Sequence, residues 1–478
     1  MKDAIATIWG TELSMNTGLS LQGQIHAKVR NSILNGDLSG GTRIPSSRML
    51  ADRLDIARIT VVQAYDQLIA EGYLETRTGA GTFVSATLPD ALVGISPQVH
   101  QKPPSMEANA LRLLSAGLPA LDQFPTSKWA RTAGRATRQL NQQSMNNNDV
   151  MGFAPLRQNI ADYLRASRSV ICGPSQVMIT SGLQQGLFLV ASAILRSNQS
   201  IILEDPGYGG MLAAAKATQR PIRYTSVDTQ GAVVPTGLSG LMVTCPSRQF
   251  PLGYTMPHSR RLEILAWAKD TNSLVFEDDY DSEFRYAGRP LNSLQGIDGG
   301  ERVIYGGTFS KSLFNALRLG YLILPHSLVE PVRALRSAID SFPSISNQQA
   351  LHAFMEDGEF TRHVRRLRKV HAHRKTLFEN AMASHLKNWL KLTPTDAGLC
   401  LLARPTKALL ASEITDKKLA ELGQKAGIGA ASLSQNYRNT PPQQGLLMSF
   451  ANLIDSEIDL KVRQFGKSLT AAITNLSE

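Results

Sequence analysis

The sequence predicts an α/β chain in two parts: a small helical head closed by a β-hairpin, and a large body with a mostly parallel sheet and a smaller α+β lobe. Three observations carry that expectation. At 478 residues the chain exceeds one ordinary core, since domains run to roughly 100–200 residues. Apolar side chains in residues 20–85 recur at helical spacing. From about residue 111 onward, short apolar runs alternate with helical stretches, the pattern of strands covered by helices.

In the head, Ile25, Val29 and Ile33 mark one helix, and Leu50 with Leu54 a second. A third runs from about Arg58 with Val61, Val62, Tyr65, Leu68 and Ile69 on its apolar face, and Gly72 supplies its stop. The run YLETRTGAGTFV reads as two strands around a Gly-rich turn. Three helices and a hairpin make a winged helix-turn-helix, placed at residues 15–86. Residues 87–110 contain Pro89, Pro97, Pro103 and Pro104, lose periodicity and read as a linker. The body fills residues 111–478. Its large lobe takes strands VMIT, SIILED, GLMVTC, SLVFED and RVIYGG; a helical segment through Lys375 and strands LCLLA and GLLMSFA form the smaller lobe.

Composition, at 42% apolar and 19% charged, is that of an ordinary globular chain. No run approaches the roughly 20 apolar residues of a membrane span. The start, MKDAIATIWG, lacks the parts of an export signal, so the expectation is a cytoplasmic protein without a membrane partner. Cys172, Cys245 and Cys400 are odd in number and far apart, so neither a disulfide framework nor a metal site is expected. The net charge of +11 invites a nucleic-acid reading, yet residues 1–90 hold eight Lys/Arg against nine Asp/Glu. The excess lies in the body, notably in TRHVRRLRKVHAHRK, Thr361 to Lys375, which reads as a solvated or dimer-facing helix surface.

The segment Gly36 to Val84 resembles the head of GntR-family repressors along nearly its whole length. The match rests on Thr42, Arg43, Pro45, Ser46 and Arg48 before the turn and on Arg58, Thr60 and Val61 at the start of the next helix. A recognition helix meets base edges with its first turn, where Arg58 and Thr60 fall. Arg43, Ser46, Ser47 and Arg48 are placed to donate to phosphates, while Arg58 reaches toward a guanine edge. Gly79 and Gly81 allow a tight wing whose backbone lies close to phosphate. The implied partner is double-stranded promoter DNA.

In the body the densest chemistry is FEDDYDSEFRY, Phe276 to Tyr286, followed by IYGGTFSKSLFNALRLGY, Ile304 to Tyr321. A strand ending in an acid, a Tyr two residues on, and a Ser-Lys pair after another strand resemble fold-type I aminotransferases. With the head attached, the whole chain resembles MocR-type regulators. The resemblance implies pyridoxal 5'-phosphate as cofactor, held on Lys311 as an internal aldimine, which requires that amine to be partly neutral. It gives Asp278 to the pyridine nitrogen, Tyr280 to the ring oxygen and Tyr208 to stacking on the ring. Ser181 and Gly182, which follow VMIT and open a helix, join Thr308, Ser310 and Arg318 around the phosphate. Asp279 and Asp281 read as structural, and CPSRQFPLG, Cys245 to Gly253, as the loop beneath the ring.

Departures from the family pattern bear on activity. Asn147 stands near the place of a usual Tyr, Asn315 stands where proline is common, Gly210 follows Tyr208 at a position where some relatives carry arginine, and LLMSFANL lacks the Arg of working aminotransferases. No dedicated carboxylate clamp is visible, leaving Arg248 and Arg438 as the available arginines. The expected protein is a transcriptional regulator that responds to pyridoxal 5'-phosphate, to a small amino compound, or to both. In this family type it acts as a head-to-tail homodimer. The alternative is an aminotransferase for which the head is a DNA-binding tether.

Overall fold

Local caps set the helices of the head in this computed structural model, which describes residues 20–87, 117–146, 149–288 and 291–477. Ser20 accepts from the Gly23 amide at the start of α1 (Leu21–Leu34), and Ser46 from the Met49 amide at the start of α2 (Ser47–Leu54). Helix α3 (Arg58–Ala70) ends just before Gly72, whose φ of 81° suits glycine. Strands β1 (Leu74–Arg77) and β2 (Gly81–Val84) pair antiparallel with Leu74 opposite Val84. Ile25, Val29, Leu50, Val61, Leu68 and Val84 close one small core. Contacts divide the chain into two compact units, Met1–Pro103 and Pro104–Glu478. The expected linker falls largely on residues 88–116, outside the described residues.

Ahead of its large sheet the second unit places α4 (Thr126–Arg138) and α5 (Ala154–Arg168). Its eight-stranded sheet takes β3 (Val177–Thr180), β4 (Ser200–Asp205), β5 (Ile222–Asp228), β6 (Gly231–Ala232), β7 (Gly240–Thr244), β8 (Leu274–Asp279), β9 (Val303–Thr308) and β10 (Gly320–Ile323). The order is β3-β10-β9-β8-β7-β4-β5-β6. From β5 through β4, β7 and β8 to β9 every pairing is parallel, whereas β10 runs antiparallel to both β9 and β3. Helices α6 (Leu183–Ile194), α7 (Gly209–Ala217), α8 (His258–Asp270) and α9 (His326–Ile339) follow strands of this sheet. The central strands are buried on both faces and therefore read as continuous apolar runs.

After α10 (Ile345–Glu356), the long α11 (Glu359–His385) leads to a four-stranded antiparallel sheet of order β11-β12-β14-β13. These strands are β11 (Leu390–Leu392), β12 (Cys400–Pro405), β13 (Gly429–Ser432) and β14 (Leu446–Ser449), flanked by α12 (Asp416–Lys425) and α13 (Ile458–Ser477). Leu401, Leu419, Met448, Phe450 and Phe465 pack its core. This mostly parallel large sheet with a smaller α+β lobe is the fold class the sequence predicts.

Candidate functional site

Doubly wound sheets gather ligands at the carboxyl ends of their strands. Here the ends of β3, β8 and β9 supply Gly182, Asp278 and Thr308 to one cavity of about 460 Å³, which also takes Ser310, Lys311 and Arg318. Tyr208, Arg248, Phe250 and Tyr280 form further wall, and Gly117, Leu399 and Cys400 close it from distant parts of the chain.

The acidic run sorts by strand alternation. Asp278 faces the cavity, and its neighbour Asp279 turns the other way, accepting from Arg168 Nε at 2.9 Å, from Ser282 Oγ at 2.8 Å and from the Tyr305 hydroxyl. Asp281 pairs with Arg248 at 3.1 Å while lining the cavity. Asp278 is buried, and its Oδ1 has no hydrogen-bond partner among the described residues. Burial, aided by the charges of Asp279, Glu204 and Asp281, pushes its carboxyl up to about 8.

Lys311 Nζ donates to the Gly117 carbonyl at 2.9 Å. Burial lowers its pKa, against the opposing pull of nearby Cys400, Asp281 and Asp278. Arg248 is buried and donates to the Tyr280 hydroxyl at 3.1 Å and to the Cys400 carbonyl at 3.0 Å. Because Tyr280 accepts that bond, its own phenolic proton remains available to a further acceptor. The rings of Tyr208 and Phe250 meet edge to face at 5.6 Å, and those of Phe250 and Tyr280 at 6.3 Å.

Gly182 caps α6 with a φ of 124°, and Arg318 lies beside it, 3.6 Å from where a Cβ would stand. Ser181 is not among the residues lining the cavity, and its amide donates to Gln185 Oε1 at 2.7 Å, the side chain from the first turn of α6 folding back onto it. Thr308 Oγ1 accepts from the Ser310 amide at 3.2 Å. Arg438 is exposed, and its Nη1 donates to the carbonyls of Gln435 and Tyr437. It lines a smaller neighbouring pocket with Tyr208, Glu204 and Asp278. Asn147 lies outside the described residues.

In the head, Arg43, Ser46, Arg48, Arg58, Gly79 and Gly81 are exposed, and Ser47 and Thr60 half-buried. Arg58 Nε donates to Ser47 Oγ at 3.4 Å, linking the start of α3 to α2. Ser46 Oγ accepts from Met49, which leaves its hydroxyl proton free to donate outward. Arg43, Ser46, Ser47 and Gly81 line one groove beside the hairpin.

Residues 21–84 match the family of bacterial regulatory proteins described as the gntR family. Across 92% of both chains the protein is 35% identical to the "Probable rhizopine catabolism regulatory protein MocR" of Rhizobium meliloti. The chain belongs to the MocR family of helix-turn-helix transcriptional regulators. Another relative, the "HTH-type pyridoxine biosynthesis transcriptional regulator PdxR" of Corynebacterium glutamicum, is 30% identical over 91% of this chain and 92% of its own. This MocR-family chain is thus a DNA-binding transcriptional regulator. Its body shares its fold with aminotransferases. The kynurenine aminotransferase of Pyrococcus horikoshii superposes with a TM-score of 0.67 at 22% identity, over 79% of this chain and 97% of that one. LysN, the alpha-aminoadipate aminotransferase of Thermus thermophilus, gives 0.68 at 23% over 78% and 96%.

What sequence reading misses in this MocR-family body is the part that arrives from far away. Gly117 lies 194 residues before the lysine it contacts, and Leu399 and Cys400 come from the smaller lobe. None of the three sits in a motif. A link from Gly117 onward runs to α11: the Ala120 amide donates to His371 Nε2 at 3.1 Å, and Arg374 grips both oxygens of Asp122 at 3.0 and 2.6 Å.

Proposed function

We propose that this regulator holds pyridoxal 5'-phosphate on Lys311 and that the state of this site, set by the cofactor and by an amino compound, tunes promoter binding. The observation that carries the reading is the pairing, in one cavity, of a half-buried lysine with lowered pKa and a buried carboxylate whose Oδ1 lacks a partner among the described residues. Such an orphaned oxygen fits a protonated ring nitrogen, which would hold Asp278 ionised. The likeness to a kynurenine aminotransferase solved with PMP supports the same choice.

When bound, the cofactor supplies an aldehyde for covalent attachment and an electron-withdrawing ring. Every other contribution belongs to the chain. Lys311 offers a nitrogen that burial keeps more neutral than a surface lysine, the form that can attack a carbonyl. Tyr280, fixed by Arg248, would offer its hydroxyl proton to the ring oxygen, and Tyr208 would stack on the ring. Gly182 at the start of α6, with Thr308, Ser310 and Arg318, provides donors and charge for the phosphate. Arg248 is already neutralised by Asp281, so it serves Tyr280 rather than a ligand carboxylate.

The head, residues 15–86, would read promoter DNA through Arg58 and Thr60, with Arg43, Ser46, Ser47 and Arg48 on phosphates and Gly79 and Gly81 in the wing. Residues 87–110 would form the linker and residues 111–478 the sensing body. A cytoplasmic homodimer would place two heads on one operator.

A spectral titration tests the reading. The protein should gain a visible absorption band with pyridoxal 5'-phosphate, and Lys311→Ala should lose the band while keeping its far-ultraviolet circular dichroism. Amino compounds added next should shift both band and operator affinity. No band in the parent protein would overturn the assignment. Rapid turnover with an α-amino acid would instead assign an aminotransferase.

A further inference from the structure

The positive charge of the chain is gathered on the body. Residues 1–90 are nearly neutral, yet the whole chain carries +11. Helix α4, TSKWARTAGRATR, contains four cations and no acid. Lys128, Arg131, Arg135 and Arg138 follow one another at three- and four-residue steps, so they share one face, and all four are exposed. On α11, Arg362, Arg365, Arg366 and Lys369 repeat the same spacing and are exposed too.

Two ion pairs bring these stripes together. Lys128 meets Glu359 at 2.9 Å, and Arg135 meets Asp357 at 2.6 Å. Glu359 also holds Arg362 at 3.0 Å. The acids at the seam are outnumbered, and Arg131, Arg138, Arg365 and Lys369 have neither a hydrogen bond nor an ion pair among the described residues. At about 1.5 Å rise per residue, Lys128 to Arg138 spans about 15 Å and Arg362 to Lys369 about 10 Å.

We propose that this two-helix basic face of the body binds the phosphate backbone of duplex DNA lying beyond the stretch read by the heads. Duplex DNA presents a charge about every 1.7 Å along its axis, so an extended row of unpaired cations finds several phosphates within its length. The chemistry fits phosphate rather than bases, because rows of exposed cations along two helices match a charged backbone and carry no directed set of contacts to base edges. A second copy of the chain is a poorer occupant. Were the face to lie on a two-fold axis, it would meet itself, cation against cation. The inference rests on the DNA-binding function and stands apart from any cofactor.

The experiment uses the full-length protein and two operator duplexes, one trimmed to the head-protected sequence and one extended by about two helical turns on each side. The triple variant Arg131→Glu, Arg365→Glu, Lys369→Glu is compared with a control triple on the smaller lobe, Lys391→Glu, Lys407→Glu, Lys417→Glu, of equal net charge change. We expect the basic-face variant to lose roughly tenfold or more in affinity for the long duplex. Its slope of log K against log salt should fall by about 3 for each subunit bound, with little change on the short one. Equal losses on both duplexes, or an equal loss in the control triple, would overturn the proposal. So would a change in sedimentation mass without DNA, which would make the face a subunit contact.

Discussion

Asp278 illustrates how a site residue can cost stability until its partner arrives. Its folded-state pKa of about 8 stands far above the 3.8 of an unperturbed aspartate. Below about pH 4 the group is neutral in both states and imposes no penalty. As pH rises toward 8, the folded protein keeps a proton that the unfolded chain releases, so stability contributed by that group is progressively lost. In cofactor-free protein, Asp278→Asn should therefore raise Tm, by more at pH 8 than at pH 5, in thermal unfolding followed at both pH values. A gap of equal size at both would mean that Asp278 is not the titrating group. In the head, Arg58 is exposed at the first turn of α3 and bound only weakly to Ser47. Arg58→Ala should weaken operator binding by roughly ten- to a hundredfold, about the value of one bidentate base contact, and leave binding to unrelated DNA nearly unchanged. Gel-shift titrations on both DNAs check this; matching losses would show that Arg58 contacts backbone alone.

At the scale of elements, legibility followed the range of the signal. Helices α1 and α2 were readable from the spacing of their apolar residues, and α3 also from its stop at Gly72, whereas the caps Ser20 and Ser46 went unread. Strands β7 to β9 were readable as apolar runs because both their faces are buried. Periodicity carries no strand direction, so nothing local announces that β10 slips antiparallel between β3 and β9. At Ser181 the strand-turn-helix pattern was legible, but not that Gln185 reaches back to the amide. Gly398 is a feature only the fold makes meaningful: with φ at 91°, a Cβ there would lie 2.3 Å from Arg248 Cζ. Gly398→Ala should destabilise the body by about 1–3 kcal/mol through backbone strain and displacement of the buried guanidinium. Arg248 holds Tyr280, so the cofactor absorption band should shift as well. Urea unfolding and the spectrum measure the two effects separately, and an unaltered spectrum would free Arg248 from its positioning role.

For the molecule as a whole, regulation requires that the lysine site and DNA binding bias a common equilibrium, and the bias must act equally in both directions. The one covalent path between them enters the described body at Gly117, whose carbonyl accepts from Lys311 Nζ. Just beyond, the chain is pinned to α11 by His371 on Ala120, by Arg374 on Asp122 and by Arg366 on the Gln123 carbonyl at 2.6 Å. Any state of Lys311 that no longer donates to Gly117 releases the first residue of this segment, while the pins decide how far the release travels. Asp122→Asn removes the charge from the strongest pin without touching the cavity, since Asp122 lines none of it. The variant should bind pyridoxal 5'-phosphate and operator DNA with near-parent affinity when each is measured alone. The change in operator affinity on adding the ligand, typically worth about 1–3 kcal/mol in allosteric proteins, should shrink severalfold. Fluorescence anisotropy of labelled operator, titrated with and without ligand, measures that change. Its reciprocal, ligand affinity with and without DNA, must shrink by the same factor. If coupling persists at full strength while Asp122 is neutral, the signal leaves the lysine by a route other than the segment that joins body to linker.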